Sequence, residues 1–214
     1  MSRINYLEQI KNRIILSQKG SVFITSDFFD IADTDVVNKC LSRLEKANII
    51  RRVTRGVYEF PEYSEFLNEY IATSPDKVAH ALARNFGWTI APSGNTALNL
   101  LGLSTQVPAV WSYVSDGTYK KYEYDRIVIK FKHTTNKDIS GITYKTALVI
   151  QAIKSLGKDN IDNKKILKLS KDLTKEEKSK MLIEAKHSTA WIYKIIKKIC
   201  NWSVQDEQSC KIII

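Results

Sequence analysis

The residues with the clearest chemical meaning in this chain are four arginines in the segment 33–60. Arg43 lies in a helix-like stretch, and Arg51, Arg52 and Arg55 surround a short turn. Of the 33 basic residues 25 are Lys and only 8 are Arg, yet six of the eight arginines lie within the first 60 residues. A planar guanidinium donates two parallel hydrogen bonds to a phosphate or a guanine edge, and a lysine ammonium does not. This local change from Lys to Arg indicates contact with a nucleic acid.

The elements predicted around these arginines follow the order helix, strand, helix, helix, hairpin. Apolar residues spaced by three and four predict the helices, and β-prone runs predict the strands. The predicted ranges are 4–16 for the first helix, 21–24 for the first strand, a short second helix after Thr25, 33–47 for the third helix, and 49–53 and 57–60 for the hairpin. Gly56 supplies the positive φ that a tight turn requires. This order predicts a winged helix-turn-helix domain over residues 1–62.

In such a domain the third helix enters the major groove through its polar face, and the hairpin, or wing, contacts the DNA backbone or the minor groove. Phosphate contacts set affinity and register, while Asn38, Ser42 and Arg43 read base edges. The candidate DNA-binding residues are Thr34, Asn38, Lys39, Ser42, Arg43, Lys46, Arg51, Arg52 and Arg55. Two alternatives remain open: a winged helix used only for protein contacts, and a three-helix unit whose charged face is simply solvated.

The remainder of the chain is predicted to form a second, mixed α+β domain. Residues 63–74 are an acidic linker with some helical character, residues 75–200 are the domain, and residues 201–214 are a tail. The domain combines a small antiparallel sheet with a C-terminal helical bundle. Its predicted strands are 110–115, 119–124 and 126–132, and its later helices are 143–156, 162–169, 175–185 and 189–200. The fold class is therefore α+β throughout.

The cysteines and histidines give no sign of catalysis or of metal binding. The three cysteines form no CxxC pair, which indicates a reducing compartment, and Cys40 lies on the apolar face of the third helix. The three histidines have no metal-binding spacing, and no GxSxG motif is present. The N-terminal segment has no long apolar run. We therefore expect a cytoplasmic protein without a membrane span, enzymatic activity, metal or cofactor.

The positive charge is concentrated toward the C-terminus. Residues 126–214 hold 19 basic and 9 acidic residues, against 10 and 7 in residues 1–60. A basic excess indicates an anionic partner, although Lys-rich helices with solvated faces have the same composition. A candidate basic patch for DNA or RNA consists of Lys130, Lys132, His133, Lys137 and Lys145. The alternative is the solvated face of an edge strand, where Lys also prevents sheets from associating.

Several longer stretches resemble one known family. They are KGSVFITSDFFD, CLSRLEKANIIRRVTRGVYEFP, GWTIAPSGNTALNLLGLSTQVPA, FKHTTNKDISG, KTALVIQAIKSLGKDNI and STAWIYKIIKKI. Together they extend over about residues 1–200. They are similar to the AbiEi-like antitoxins, which are transcriptional regulators of AbiE-type (type IV) toxin–antitoxin loci in phage defence.

The resemblance implies a winged helix that binds inverted repeats in the operon's own promoter. It also implies a C-terminal domain that counters a nucleotidyltransferase-like toxin, with or without direct contact. The chain is then expected to be a DNA-binding autorepressor and antitoxin. The alternative is an interaction protein that binds toxin or RNA through its basic second domain, with the winged helix as a scaffold.

Overall fold

A computed structural model describes residues 5–134 and 139–202, which form a mixed α+β structure. The helices are α1 (Tyr6–Ile15), α2 (Thr34–Lys46), α3 (Pro75–Phe86), α4 (Asn95–Leu100), α5 (Tyr144–Leu156), α6 (Asn163–Lys171), α7 (Lys175–Glu184) and α8 (Ala190–Cys200). The strands are β1 (Val22–Ile24), β2 (Arg51–Thr54), β3 (Val57–Glu59), β4 (Tyr63–Ser64), β5 (Glu69–Tyr70), β6 (Ile90–Pro92), β7 (Val110–Ser115), β8 (Lys120–Tyr124) and β9 (Ile127–His133). None of the described helices combines the length and apolarity needed to cross a bilayer.

The chain divides into two compact units. The first contains the residues up to Trp88 together with Tyr124–Arg126, and the second contains Thr89–Glu123 and the residues from Ile127 onward. The predicted division instead placed residues 75–88 in the second domain. The observed division differs because α3 packs against β1 and β3, and buries Val78 completely.

In the first unit, an apolar core is enclosed by α1, α2 and a three-stranded sheet. The strand order is β1-β3-β2, and both pairs are antiparallel. Four fully buried core side chains, Ile10, Ile14, Val37 and Leu41, lie on helix faces with a spacing of three or four, as predicted. Phe28 joins the same core. The predicted second helix is a single 3-10 turn, Thr25–Phe28. The Asp27 carboxylate holds this turn by accepting a hydrogen bond from the Ile24 N–H at 2.9 Å.

The β2–β3 hairpin contains an irregularity that its sequence does not show. Thr54 pairs with Val57 across the turn, but Arg52 pairs with Tyr58 and Arg51 with Glu59. The register therefore shifts by one residue at Val53, as in a β-bulge. The turn itself agrees with the prediction, because Gly56 has a φ of 75°.

The segment predicted as a partly helical linker forms a second small hairpin, which corrects that prediction. β4 and β5 are antiparallel, with Tyr63 opposite Tyr70. Their rings meet edge to face at a centroid distance of 5.2 Å. The Tyr63 hydroxyl donates to Asn68 Oδ1 at 2.6 Å, and Asn68 adopts a φ of 53°. Cross-strand aromatic contact and an Asn in the left-handed region favour a hairpin over a helix here.

The second unit contains a four-stranded sheet of order β6-β7-β9-β8. β6 and β7 are antiparallel, but β7 and β9 are parallel, so the predicted antiparallel sheet is mixed instead. β9 lies between β7 and β8 because its inward side chains, Ile129 and Phe131, are fully buried. The more polar β8 takes the edge, where lysines are tolerated. β8 and β9 are joined by a two-residue turn in which both residues have positive φ.

The predicted C-terminal helices are confirmed, and they pack around α5. Every residue of α5 from Thr146 to Ile153 is buried. α4, α7 and α8 all contact α5, and α8 contributes the buried residues Ile192, Ile196 and Ile199 to the same core. A helix segment surrounded in this way has no polar face, which explains why six of its eight residues are apolar.

The N-terminus of α5 is closed by a carboxylate from the end of α7. Glu184 Oε2 accepts hydrogen bonds from the Thr143 N–H at 3.1 Å, the Thr143 hydroxyl at 2.8 Å and the Thr146 hydroxyl at 2.5 Å. Burial opposes ionisation of Glu184, but these hydrogen bonds outweigh it, and the pKa of the carboxyl is lowered. A negative charge at this position also suits the positive end of the helix dipole.

We expect Glu184→Gln to lower the free energy of unfolding by about 1–2 kcal/mol at neutral pH, because charged hydrogen bonds are lost. A lowered folded-state pKa gives stability above the ordinary glutamate pKa of about 4.3, and this stability is lost as the pH falls through the folded value. Urea unfolding at neutral and acidic pH measures the effect. Glu176→Gln, at an exposed carboxylate of α7, should change stability little. An equal loss in both variants would contradict the capping role.

Candidate nucleic-acid interface

The outer face of α2 carries most of the predicted base-reading residues. The helix starts at Asp33, whose Oδ1 accepts a hydrogen bond from the Val36 N–H at 2.9 Å. Its apolar face is buried against α1 and the 3-10 turn. The predicted residues Thr34, Asn38, Lys39, Arg43 and Lys46 are all exposed, and Ser42 is half-buried. α2 thus presents a continuous polar face to solvent.

The central stripe of this face mixes charges. Asp35, Lys39, Ser42 and Lys46 follow one another at steps of four, three and four residues, so their side chains align along the helix. Lys39 also lines a shallow groove of about 540 Å³ between α2 and the start of α1. The face has modest positive charge and several uncharged donors and acceptors, which is the composition that base-edge contacts require.

Asn38 is held in position by the turn that precedes α2. The Thr25 hydroxyl donates to Asn38 Oδ1 at 3.1 Å. The amide N–H donors of Asn38 have no hydrogen-bond partner within the described ranges. A side chain that is oriented by one neighbour and has free donors is suited to contact a base.

The β2–β3 hairpin presents two free arginines. Arg52 and Arg55 are exposed, and neither forms a hydrogen bond or an ion pair with any residue that the structure describes. Arg55 lies in the tight turn beside Gly56, where no other atoms crowd the backbone. Both guanidinium groups are therefore available to an external anion such as a phosphate.

Arg51, the third predicted arginine of the hairpin, is bound within the first unit. Its Nε donates to Glu59 Oε1 at 2.5 Å, and an Nη donates to Thr73 Oγ1 at 3.1 Å. The same guanidinium lies 3.6 Å from Asp125 Oδ2. The Glu59 side chain is only 2% exposed, and the Thr73 hydroxyl donates to its other oxygen. The geometry gives Arg51 a structural role, and its charge is already neutralised.

Tyr124 borders this cluster without taking part in its hydrogen bonds. Its hydroxyl is buried and has no partner among the described residues. Burial, together with the negative charges of Asp125 and Glu59, raises the pKa of Tyr124 far above its ordinary value. Tyr124 therefore stays neutral at physiological pH.

The predicted basic patch of the second unit is only partly assembled. Lys130 and Lys132 alternate with buried residues of β9, so they share its outer face. His133 Nδ1 is 2.9 Å from the Gly117 carbonyl oxygen, which ties the ring to the loop before β8. Lys145 lies on α5, which packs against β6, two places from β9 in the sheet. Lys137 lies outside the described residues.

The described residues contain no cluster of His, Cys, Asp or Glu that could hold a metal ion. Cys40 lies in the core of the first unit, as predicted, and burial raises the pKa of its thiol. A thiol with a raised pKa is a weak nucleophile. The outer face of α2 and the β2–β3 hairpin therefore form the part of the described surface that is best suited to bind a ligand.

The fold defines a two-unit α+β protein whose first unit exposes a polar helix and a basic hairpin. In comparisons with protein families, residues 9–182 match the family described as "Family of unknown function (DUF6088)". The chain belongs to this family. A search of curated proteins finds no match.

Mutation of the hairpin arginines should affect stability differently, depending on whether the arginine is bound to Glu59 or free. We expect Arg51→Ala to lower the free energy of unfolding by about 2–3 kcal/mol, because it leaves the buried Glu59 carboxylate without its cation. Arg52→Ala removes the same type of side chain from the neighbouring exposed position, and should change stability by less than about 0.5 kcal/mol. Urea unfolding followed by circular dichroism compares them. An equal change in the free energy of unfolding for the two variants would show that Arg51 does not stabilise the fold.

Proposed function

We propose that the first unit is a winged helix-turn-helix that binds double-stranded DNA. The observation that carries the proposal is the arrangement of the unit: a helix, an edge strand, a turn and a second helix, and a basic hairpin whose strands complete a sheet of order β1-β3-β2. In this arrangement α2 is the recognition helix and the β2–β3 hairpin is the wing. The free, exposed arginines at the wing support this assignment.

The two parts of the surface would have different roles in the complex. Asn38, Ser42 and Arg43 on α2 would contact base edges in the major groove, where amide and guanidinium groups distinguish adenine from guanine. Arg52 and Arg55 would contact phosphates, which fixes the protein's register on the duplex and contributes most of the salt-dependent affinity.

We further propose that the chain is an autorepressor and antitoxin of a toxin–antitoxin locus. This part of the proposal is supported by the resemblance to the AbiEi-like antitoxins. On that basis the DNA target is an inverted repeat in the chain's own promoter, and the second unit counters a nucleotidyltransferase-like toxin. The second unit has its own sheet and helical core, as an independent antitoxin domain requires.

A second candidate function is binding of the toxin or of RNA through the basic second unit, with the first unit as a scaffold. It is supported by Lys130 and Lys132 on one face of β9. In that case a stable complex with toxin or RNA would form, and it would survive the loss of the wing arginines.

The wing assignment is tested by the double variant Arg52→Ala/Arg55→Ala. We expect its affinity for a duplex from the chain's own promoter region to fall roughly tenfold to a hundredfold. We also expect the slope of log K against log salt concentration to decrease by about two, since two phosphate contacts are lost. Fluorescence anisotropy at several salt concentrations measures both quantities.

The matched control is Lys164→Ala/Lys175→Ala, which removes two charges from exposed positions near the starts of α6 and α7. This control should retain most of the affinity, because its charges lie outside the wing. If both double variants bind DNA equally well, the wing does not contact DNA. If wild-type protein fails to shift promoter DNA at low salt, the DNA-binding proposal is refuted as a whole.

The antitoxin role requires a separate test in cells. A nucleotidyltransferase-like reading frame beside this chain's gene should arrest growth when expressed alone, and co-expression of this chain should restore growth. Rescue by the Arg52→Ala/Arg55→Ala variant would show that neutralisation does not require the wing arginines. Failure of wild-type protein to rescue would exclude the antitoxin role and leave DNA binding unaffected.

A further inference from the structure

The first unit exposes a group of large apolar side chains that neither the core nor the proposed DNA interface uses. It consists of the end of α1 and the β4–β5 hairpin. We name it the hairpin patch, and its residues are Ile15, Leu16, Tyr63, Phe66, Leu67 and Tyr70. Phe66 is 95% exposed and Leu16 is 87% exposed. Exposed apolar areas of this size on soluble proteins usually mark an interaction site.

The tip of the hairpin is ordered by its own hydrogen bonds. The Leu67 N–H donates to Ser64 Oγ at 3.2 Å, and the Tyr63 hydroxyl donates to Asn68 Oδ1 at 2.6 Å. At the base of the hairpin, the Ile71 N–H donates to the Glu62 carbonyl oxygen at 2.8 Å. Phe66 is therefore presented to solvent by a closed loop, so little conformational entropy is lost when a partner covers it.

A groove lies directly beside this projecting tip. It has a volume of about 780 Å³ and is lined by apolar side chains that include Ile15, Phe60, Tyr63 and Tyr70. One surface thus combines a projecting aromatic residue with an adjacent aromatic groove. Such a surface is self-complementary, because a two-fold axis places the tip of each copy in the groove of the other.

We propose that the hairpin patch is the interface between two copies of this chain. The three aromatic side chains of the patch expose about 400 Å² in total, at about 200 Å² for a fully exposed aromatic side chain. A stable protein–protein interface buries about 800 Å² on each partner, so these aromatics supply about half of that area, and Ile15, Leu16 and Leu67 add to it. The inference deepens the proposed function and rests on it, since an inverted repeat is read by two copies of one protein.

The charges around the patch also favour a second copy of this chain as the partner. Lys19 lines the groove, with its Nζ 3.5 Å from the centre of the Phe60 ring, and it forms no ion pair with a described residue. Glu65 is next to Phe66, lines the edge of the same groove, and also has no ion-pair partner in the described part of the chain. When the tip of one copy enters the groove of the other, Glu65 approaches the second copy's unpaired lysine.

The first test is sedimentation equilibrium of the full chain without DNA. Wild-type protein should sediment as a dimer at micromolar concentration, and Phe66→Glu should sediment as a monomer with an unchanged circular dichroism spectrum. Val107→Glu is the matched control, because Val107 is also apolar and exposed, at 77%, but lies in the second unit. This control should stay dimeric. A monomeric wild-type protein, or a dimeric Phe66→Glu variant, would overturn the proposal.

The second test reverses the two charges. Lys19→Glu and Glu65→Lys should each weaken the dimer roughly tenfold, and the double variant should recover most of the wild-type affinity, because the opposite charges meet again. No recovery in the double variant would rule out this geometry. DNA titration distinguishes the two proposals. If wild-type protein is a dimer that does not bind DNA, the dimer interface is supported and the DNA-binding function is refuted. If it is a monomer that binds single half-sites, DNA binding is supported and the dimer interface is refuted.

Discussion

The ion pair between Arg51 and Glu59 determines how the first unit can present its basic hairpin. The Glu59 carboxylate is almost completely buried, and a buried charge without a partner would cost several kcal/mol. Arg51 and Thr73 supply the donors that it needs. Because Thr73 lies two residues before the start of α3, the same hydrogen bonds connect the base of the hairpin to the segment that leads into that helix. One arginine therefore fixes the hairpin, and its two neighbours remain free at the surface.

The local elements of the first unit could be predicted from sequence, but this ion pair could not. Amphipathic spacing and turn residues are local signals, so α1, α2 and the β2–β3 hairpin fall close to their predicted ranges. The roles of the arginines depend on register. An unbulged hairpin with the same two-residue turn would pair Arg52, not Arg51, with Glu59. The bulge at Val53 shifts the pairing by one residue, and no residue type in the segment signals it.

Long-range packing accounts for the other differences. The order of β7, β9 and β8 depends on which strand is buried, and successive strands in the sequence suggested simple antiparallel neighbours. The glutamates of residues 63–74 favour a helix, whereas the Tyr63–Tyr70 contact that stabilises the hairpin forms only after the chain reverses. Within the candidate site, the exposure of the α2 face could be predicted from the spacing of its apolar residues. The separation of Lys145 from β9 could not be predicted, because it depends on where α5 packs.

The closure of α5 by Glu184 depends on residues that lie beyond the part of the chain that matches the family. The segment shared with the family ends at residue 182, two residues before this carboxylate and before the whole of α8. The matched segment is therefore shorter than the folding unit, because Glu184 and α8, which both contact α5, lie after it. A chain shortened to the matched segment would leave the Thr143 and Thr146 hydroxyls without their carboxylate and would expose part of the buried surface of α5.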